Sequence, residues 1–281
     1  MRYSSRFFLY APLGLFLAIM TVIGVHWWVV ADAFAAKLDA ANGHAIAPGV
    51  TLRFASRSIS GFPFSLDTVM RDVSFEIATP HGPVLWRTQD FAMHALSYGR
   101  EQSIFEAAGR QELDWTGAGG ERRRLVFAVG SLHASAVEDK GGLARFDLDL
   151  VGFGSKALTA RRLQLHLRRD PAKNAFDLVA AADDVHAAAQ SCPSLDDHIA
   201  AGRLVAIATP AAALARLRAG AQDWGEAVAQ WRMAGGAFRI SELSLTSGSP
   251  ARLRAALGAI PAQRLFDLSD LLDALCGVPP Y

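Results

Sequence analysis

The densest group of residues able to do chemistry lies between positions 183 and 198: Asp183, Asp184, His186, Cys192, Asp196, Asp197 and His198. Carboxylate oxygen, imidazole nitrogen and thiolate sulfur are the donors a transition metal takes. The spacing matches no standard zinc pattern, and Cys192-Pro193-Ser194 followed by acids reads as a loop leading into a helix cap. The tract is therefore read as a structural loop. Elsewhere there is no Gly-rich phosphate loop, nucleophile elbow or HExxH. A Ser, His and Asp hydrolase site assembles only in space, and no local sequence supports one. His94, His133 and His166 sit singly in strand patterns and read as structural or solvent-facing. The sequence assigns no catalytic, cofactor-binding or metal-binding residue, and the expectation is a protein that is not an enzyme and carries no cofactor.

The segment that must position everything else is an apolar run from Phe7 to Val30 with no Asp, Glu, Lys or Arg. Crossing a bilayer takes roughly 20 residues. Arg2 and Arg6 precede the run, while Asp32 and then Lys37 follow it. Positive charge stays cytoplasmic, so the N-terminus is expected inside and the body in the periplasm, on the inner membrane. Trp27 and Trp28 fall where aromatic rings favour the outer headgroup level. Ala31-Asp32-Ala33 resembles a signal-peptide cleavage site, but a signal h-region is about 7–15 residues, and an uncleaved single-pass anchor is expected.

The formal net charge is +1, which gives no electrostatic case for nucleic acid. Glu121–Arg124, Arg161-Arg162 and Arg168-Arg169 are local basic clusters at strand ends, read as solvated or, more sharply, as contacts to anionic headgroups. The only two cysteines, Cys192 and Cys276, are expected to pair in an oxidising compartment.

From Val50 onward the dominant period is two, the signature of strands with one apolar and one polar face. Val73, Phe75 and Ile77, then Phe146, Leu148 and Leu150, then Leu163, Leu165 and Leu167 alternate with polar residues. Noisier runs cover Val84–Tyr98, Ile104–Trp115, Leu125–Val137, Phe176–Ala182 and Arg203–Ala208. Phe238–Leu245 changes parity at Ser241-Glu242, which predicts a bulge. Helical periodicity appears at about 209–234 and again at about 266–276, where Leu268, Leu271, Leu272 and Leu275 form a stripe. The division is thus an anchor helix with an outward extension over 1–42 and a mainly β domain over 43–281. The expected fold is a curled antiparallel sheet, a half-barrel or groove, with a few helices. Roughly ten half-apolar strands face few covering helices. The sheet must bury its apolar face against itself or against something else.

Gly61-Phe62-Pro63-Phe64 is the most distinctive tract. Gly61 permits a φ that other residues avoid, and Pro63 lacks a backbone N–H and pushes Phe62 toward extended geometry. Read as a kinked strand entering the core, it buries Phe62, Phe64 and Leu66 on one face and turns Ser65 and Asp67 away. In this context the tract resembles the bacterial domain of unknown function 2125 family, single-anchor envelope proteins in which such a strand follows the membrane helix. The resemblance runs to about Asp184 and resumes over Trp231–Leu245, with Gly235-Gly236 as a turn; beyond Gly248 the sequence departs from it. More weakly, the repeated strands resemble the AsmA-like envelope proteins, whose curled sheets form apolar grooves linked to lipid handling. The family implies no catalytic residue. The function expected is non-catalytic work in envelope lipid handling or maintenance, with a lipid or an envelope protein as partner. The alternatives are a scaffold that binds another protein through its sheet edge or apolar face, and an extracytoplasmic hydrolase.

Overall fold

The computed structural model describes residues 5–47, 49–79, 82–96, 102–117, 120–140, 142–188, 192, 195–212 and 224–259. Helix α1 (Ser5–Ala41) is followed by β1 (Ala45–Ala47), β2 (Val50–Arg53), β3 (Ser56–Ser60), β4 (Ser65–Ile77), β5 (Val84–Leu96), β6 (Gln102–Thr116), β7 (Arg122–Asp139), β8 (Gly142–Ser155), β9 (Leu158–Asp170), β10 (Ala175–Ala187) and β11 (His198–Thr209). Helix α2 (Trp224–Met233), β12 (Ala237–Thr246) and helix α3 (Pro250–Ala259) complete the described chain. All twelve strands form one curled antiparallel sheet in which neighbours in sequence are neighbours in space. Short loops between alternating strands make a meander the direct solution. The single departure is that β2 and β3 lie end to end along β4, pairing with its second and first halves.

One face of the sheet is mainly apolar, interrupted by the buried Thr68, Thr88 and Gln111. Its rungs can be followed across the ladder: Ala107 faces Leu132, Leu132 faces Leu150, Leu150 faces Leu163, Leu163 faces Ala182, and Ala182 faces Gly202. The next rung on the same face holds Phe153, Ala160, Val185 and Ile199. These rungs are three residues apart along each strand, where simple alternation would give two. The same three-residue step separates Met70 from Val73 and Thr88 from Phe91, all of them buried. Asp72, Gly109, Gly152 and Asp184 take positive φ along this line, and the ladder slips between Thr88 and Phe91 and between Ala107 and Gly109. The result is a crease of bulges crossing the sheet from β4 to β11. Each extra residue bends its strand and increases the local twist, which curls the sheet. This crease also explains why so many strands look noisy as sequence: their apolar parity changes midway.

The apolar face is closed at its two flanks by different means. At one flank Leu52, Phe54, Met70, Val73, Phe91 and Ala107 form a core against which Leu38 of α1, Phe75, Trp86 and Phe105 pack. Phe75 stacks on Trp86 with ring centroids 5.2 Å apart, and Phe91 meets both rings near-perpendicular. At the other flank Trp231 of α2, fully buried, packs with Phe176, Ala208 and Ala211. The chain returns past it through Gly235 and Gly236; a Cβ on Gly236 would come within 2.3 Å of the Trp231 ring. Helix α3 was not legible from the sequence. The helix expected at 266–276 lies outside the described residues, as do residues 213–223 of that expected at about 209–234.

Candidate functional site

Between the two closed flanks the apolar face is less well covered. Leu148, Leu150, Leu165, Leu178 and Leu204 are only half-buried and belong to neither flanking core. Leu148 and Leu165 are direct cross-strand partners, as are Leu178 and Ala206 on the following strands. The lining is aliphatic and uncharged, a surface suited to alkyl chains and unsuited to a polar reaction.

The Gly-Phe-Pro-Phe tract is placed differently from the expectation. It is not a core strand. Phe62 and Phe64 are 51% and 60% exposed, while Leu66 is buried. The tract is the tip of the hairpin joining β3 to β4, closed by Ser65 N–H donating to the Gly61 carbonyl at 2.9 Å. Gly61 has φ +99°, and a Cβ there would meet the Ser65 hydroxyl and the Asp67 carboxylate. Alternation fails because a reversal, not a strand, separates Phe62 from Leu66. Ser65 and Asp67 do turn away from the Leu66 face, and the two side chains hydrogen-bond at 2.9 Å.

Phe62 instead meets α1. Its ring lies edge-on to Trp27 at 5.8 Å and lies against Gly24. The Trp27 indole N–H donates to the Ser65 carbonyl at 2.8 Å. Further along, Asp39 pairs with Arg57, and the Asn42 side chain bonds both the N–H and the carbonyl of Phe54. The end of α1 therefore covers the β2–β3 edge of the sheet. Among the described residues, α1 is the one helix long and apolar enough to cross a bilayer. Its apolar side chains point outward: Leu13, Phe16, Ile19, Val22, Val25 and Trp28 are all exposed. A helix near the N-terminus with these properties has the length and composition of a single membrane anchor or of a signal sequence.

The acidic and histidine tract at 183–198 is not a loop at its ends. Asp183, Asp184 and His186 lie on β10, and His198 opens β11. Asp184, His186 and His198 converge on the polar face, with both imidazole Nε2 atoms within 3.2 Å of one Asp184 oxygen. Hydrogen bonding from His198 is the leading cause that holds the Asp184 carboxyl below its ordinary range, with the neighbouring His186 adding to it. The others separate. Asp183 faces Arg161 at 3.5 Å. Asp196 accepts from the Ser249 N–H at 2.5 Å. Asp197 contributes its carbonyl to Ala187. Cys192 is fully buried beside Ala187, Leu158 and Leu195. Its expected partner Cys276 lies outside the described residues.

The solitary histidines acquire partners that sequence spacing cannot reveal. His94 meets Asp67 at 2.8 Å and Glu106 at 3.7 Å, His133 meets the same Glu106 at 3.4 Å, and His166 meets Asp147 at 2.7 Å. Acids and imidazoles thus alternate across β4 to β9. The His94 hydrogen bond is the main cause lowering the Asp67 pKa, and Arg162 does the same for Asp149. Members of the basic clusters are likewise paired, Arg124 with Asp114, Arg162 with Asp149 and Arg169 with Asp139 across strands, and Arg123 with Glu121 two residues earlier in the chain. A polar, open depression of about 520 Å³ lies at the crease, lined by Asp72, Arg87, Thr88, Arg110 and Glu112 among others. Arg87 and Arg110 both lie within ion-pair distance of Glu112, and Ser74 also lines the depression.

Fold and surface together define a class: a mainly β protein whose single open sheet follows one N-terminal apolar helix. The chain belongs to the family described as "Uncharacterized protein conserved in bacteria (DUF2125)", whose profile matches residues 27–261. No curated protein and no solved structure matches it.

Proposed function

We propose that this protein is a non-catalytic, inner-membrane-anchored protein whose periplasmic sheet holds lipid acyl chains on its apolar face. The observation that carries the reading is the set of partly buried leucines Leu148, Leu150, Leu165, Leu178 and Leu204 across β8 to β11, beside the closed clusters around Phe91, Trp231 and Val185. An alkyl chain laid there gains about 0.8 kcal/mol per buried CH₂ and needs no specific polar contact. The orientation rests on Arg2 and Arg6 before the apolar run and Asp32 after it.

The Phe62 contact supports a second element of the reading. Gly24 and Trp27 belong to the apolar run that ends at Val30. Six residues of helix rise about 9 Å, so a hairpin touching Gly24 reaches the acyl–headgroup boundary if α1 spans the bilayer. The hairpin tip lies at the start of β4. In a meander the end of β5, the start of β6 and the β7–β8 turn share that edge. The apolar face then runs from the bilayer outward.

The test is a diazirine-bearing fatty acid photo-crosslinked to the full chain in mild detergent, with the labelled peptides mapped by mass spectrometry. Label on β8–β11 that disappears in a Leu148→Gln, Leu165→Gln double variant with an unchanged β spectrum supports the proposal. Label confined to α1, or equal in the double variant, overturns it.

A further inference from the structure

We propose that Asp184, His186 and His198 form a binding site for one divalent transition-metal ion on the polar face of the sheet. The site is independent of the acyl-chain reading, because it lies on the opposite face and uses none of the same residues.

The geometry comes from the ladder. His186 and His198 are directly opposed in the β10–β11 register, which places their Cβ atoms about 4.5–5.5 Å apart. Their rings stack at 4.5 Å between centroids and 18° between planes. Asp184 is two residues before His186. One of its oxygens stands 3.2 Å from the His186 Nε2 and 3.0 Å from the His198 Nε2. The three ligand atoms all lie within 4.8 Å of one another. An ion bound at about 2.0–2.2 Å needs neighbouring donors roughly 3 Å apart, which both His–Asp distances meet. Binding requires the two imidazole nitrogens to close in and the stacked rings to splay until the ion lies in both ring planes; both rings are exposed and free of the core.

Two features make this more than a chance surface contact. First, His186 is paired on both sides, to Thr159 and to His198, and Asp184 lies between the paired residues Asp183 and Val185, so the ladder fixes where the ligands stand on β10. Second, Asp184 sits on the crease with φ +49°, a conformation that costs free energy in a strand, and the neighbouring Arg161 pairs with Asp183 instead. The carboxylate is thus left to the two imidazoles. Two nitrogens and one carboxylate oxygen select zinc-, copper- or nickel-like ions over magnesium or calcium. Three protein ligands leave the remaining coordination positions to solvent or to a partner's side chain. On binding, each imidazole gives up its Nε2 hydrogen and carries it on Nδ1 instead. The sequence pattern hides the site because its ligands come from two strands joined by a loop of unrelated spacing.

The experiment uses full-length protein carrying a histidine-free affinity tag, stripped with chelator in detergent and titrated with Zn²⁺ alone by calorimetry. One equivalent per chain is expected, weakened at least 10-fold by Asp184→Asn and by His198→Gln but not by His133→Gln. Cu²⁺ bound to the unaltered protein should show two nitrogen couplings by electron paramagnetic resonance, a readout that needs no variant to fold. No saturable equivalent, or an equivalent kept in the His186→Gln, His198→Gln double variant, overturns the proposal.

Discussion

The flanks and the middle of the apolar face are built from the same strands but to different ends. Each flank is built on buried side chains, Met70, Val73 and Phe91 on one side and Phe176 and Trp231 on the other, with partly buried neighbours such as Leu38 packed against them. The middle uses aliphatic side chains that stop halfway to burial. On the proposed reading, stability and binding are separated along one surface: the buried clusters, including that of Ala160, Val185 and Ile199, hold the curl, and the partly buried leucines are left for an acyl chain to cover.

The sharpest way to break this comparison is to truncate a flank residue. Phe91→Ala removes a buried ring that touches three others. It should cost about 3–5 kcal/mol, read as a large fall in denaturation midpoint. A cost below about 1 kcal/mol would mean that the flank is no core at all. In the middle, Leu165→Ala should cost only about 1–2 kcal/mol, because the side chain is half out of the interior already. Equal losses at Phe91 and Leu165 would erase the distinction between flank and middle.

Acid should act on the polar face. The Asp67 and Asp149 carboxyls have folded pKa values below their unfolded ones. Their contribution is fully present above the unfolded pKa near 4 and is lost as pH falls through the lower folded value. Melting temperature should hold flat from pH 7 to 5 and fall below about pH 4. Asp67→Asn should flatten that acid limb, and an unchanged limb would remove the His94 pairing from the account. The smallest effect on stability is expected for Phe64→Ala, about 1 kcal/mol or less for so exposed a ring. The same variant should reduce protection of the hairpin tip from aqueous quenchers in proteoliposomes. Unchanged protection would place the tip outside the interface.

Much of the fold could be read from periodicity. The runs beginning at Val50, Val84, Leu125, Phe146 and Leu163 each correspond to an observed strand. The crease could not. A bulge changes apolar parity by one residue, and in one strand that is indistinguishable from noise; only the register of seven neighbours aligns the irregularities. The hairpin tip was misread for a related reason, since Phe62, Phe64 and Leu66 have strand spacing but Gly61 reverses the chain between them. The convergence of Asp184, His186 and His198 was half legible. Their chemistry stood out, yet the pairing that brings residue 186 opposite 198 is a property of the sheet. The alternating acids and imidazoles from Asp67 to His166 were invisible, because each comes from a different strand.

The unbroken course of α1 into its docking with the sheet bears on reach. From Val30 to Ala41 the helix rises about 16 Å, and Trp27, Leu38, Asp39 and Asn42 bind it to β2–β4 along the way. There is no slack tether of the kind that lets a domain sweep a volume. On the proposed anchoring, a body mounted this way would work at one fixed height, and any counterpart it serves would have to come down to the membrane to meet it.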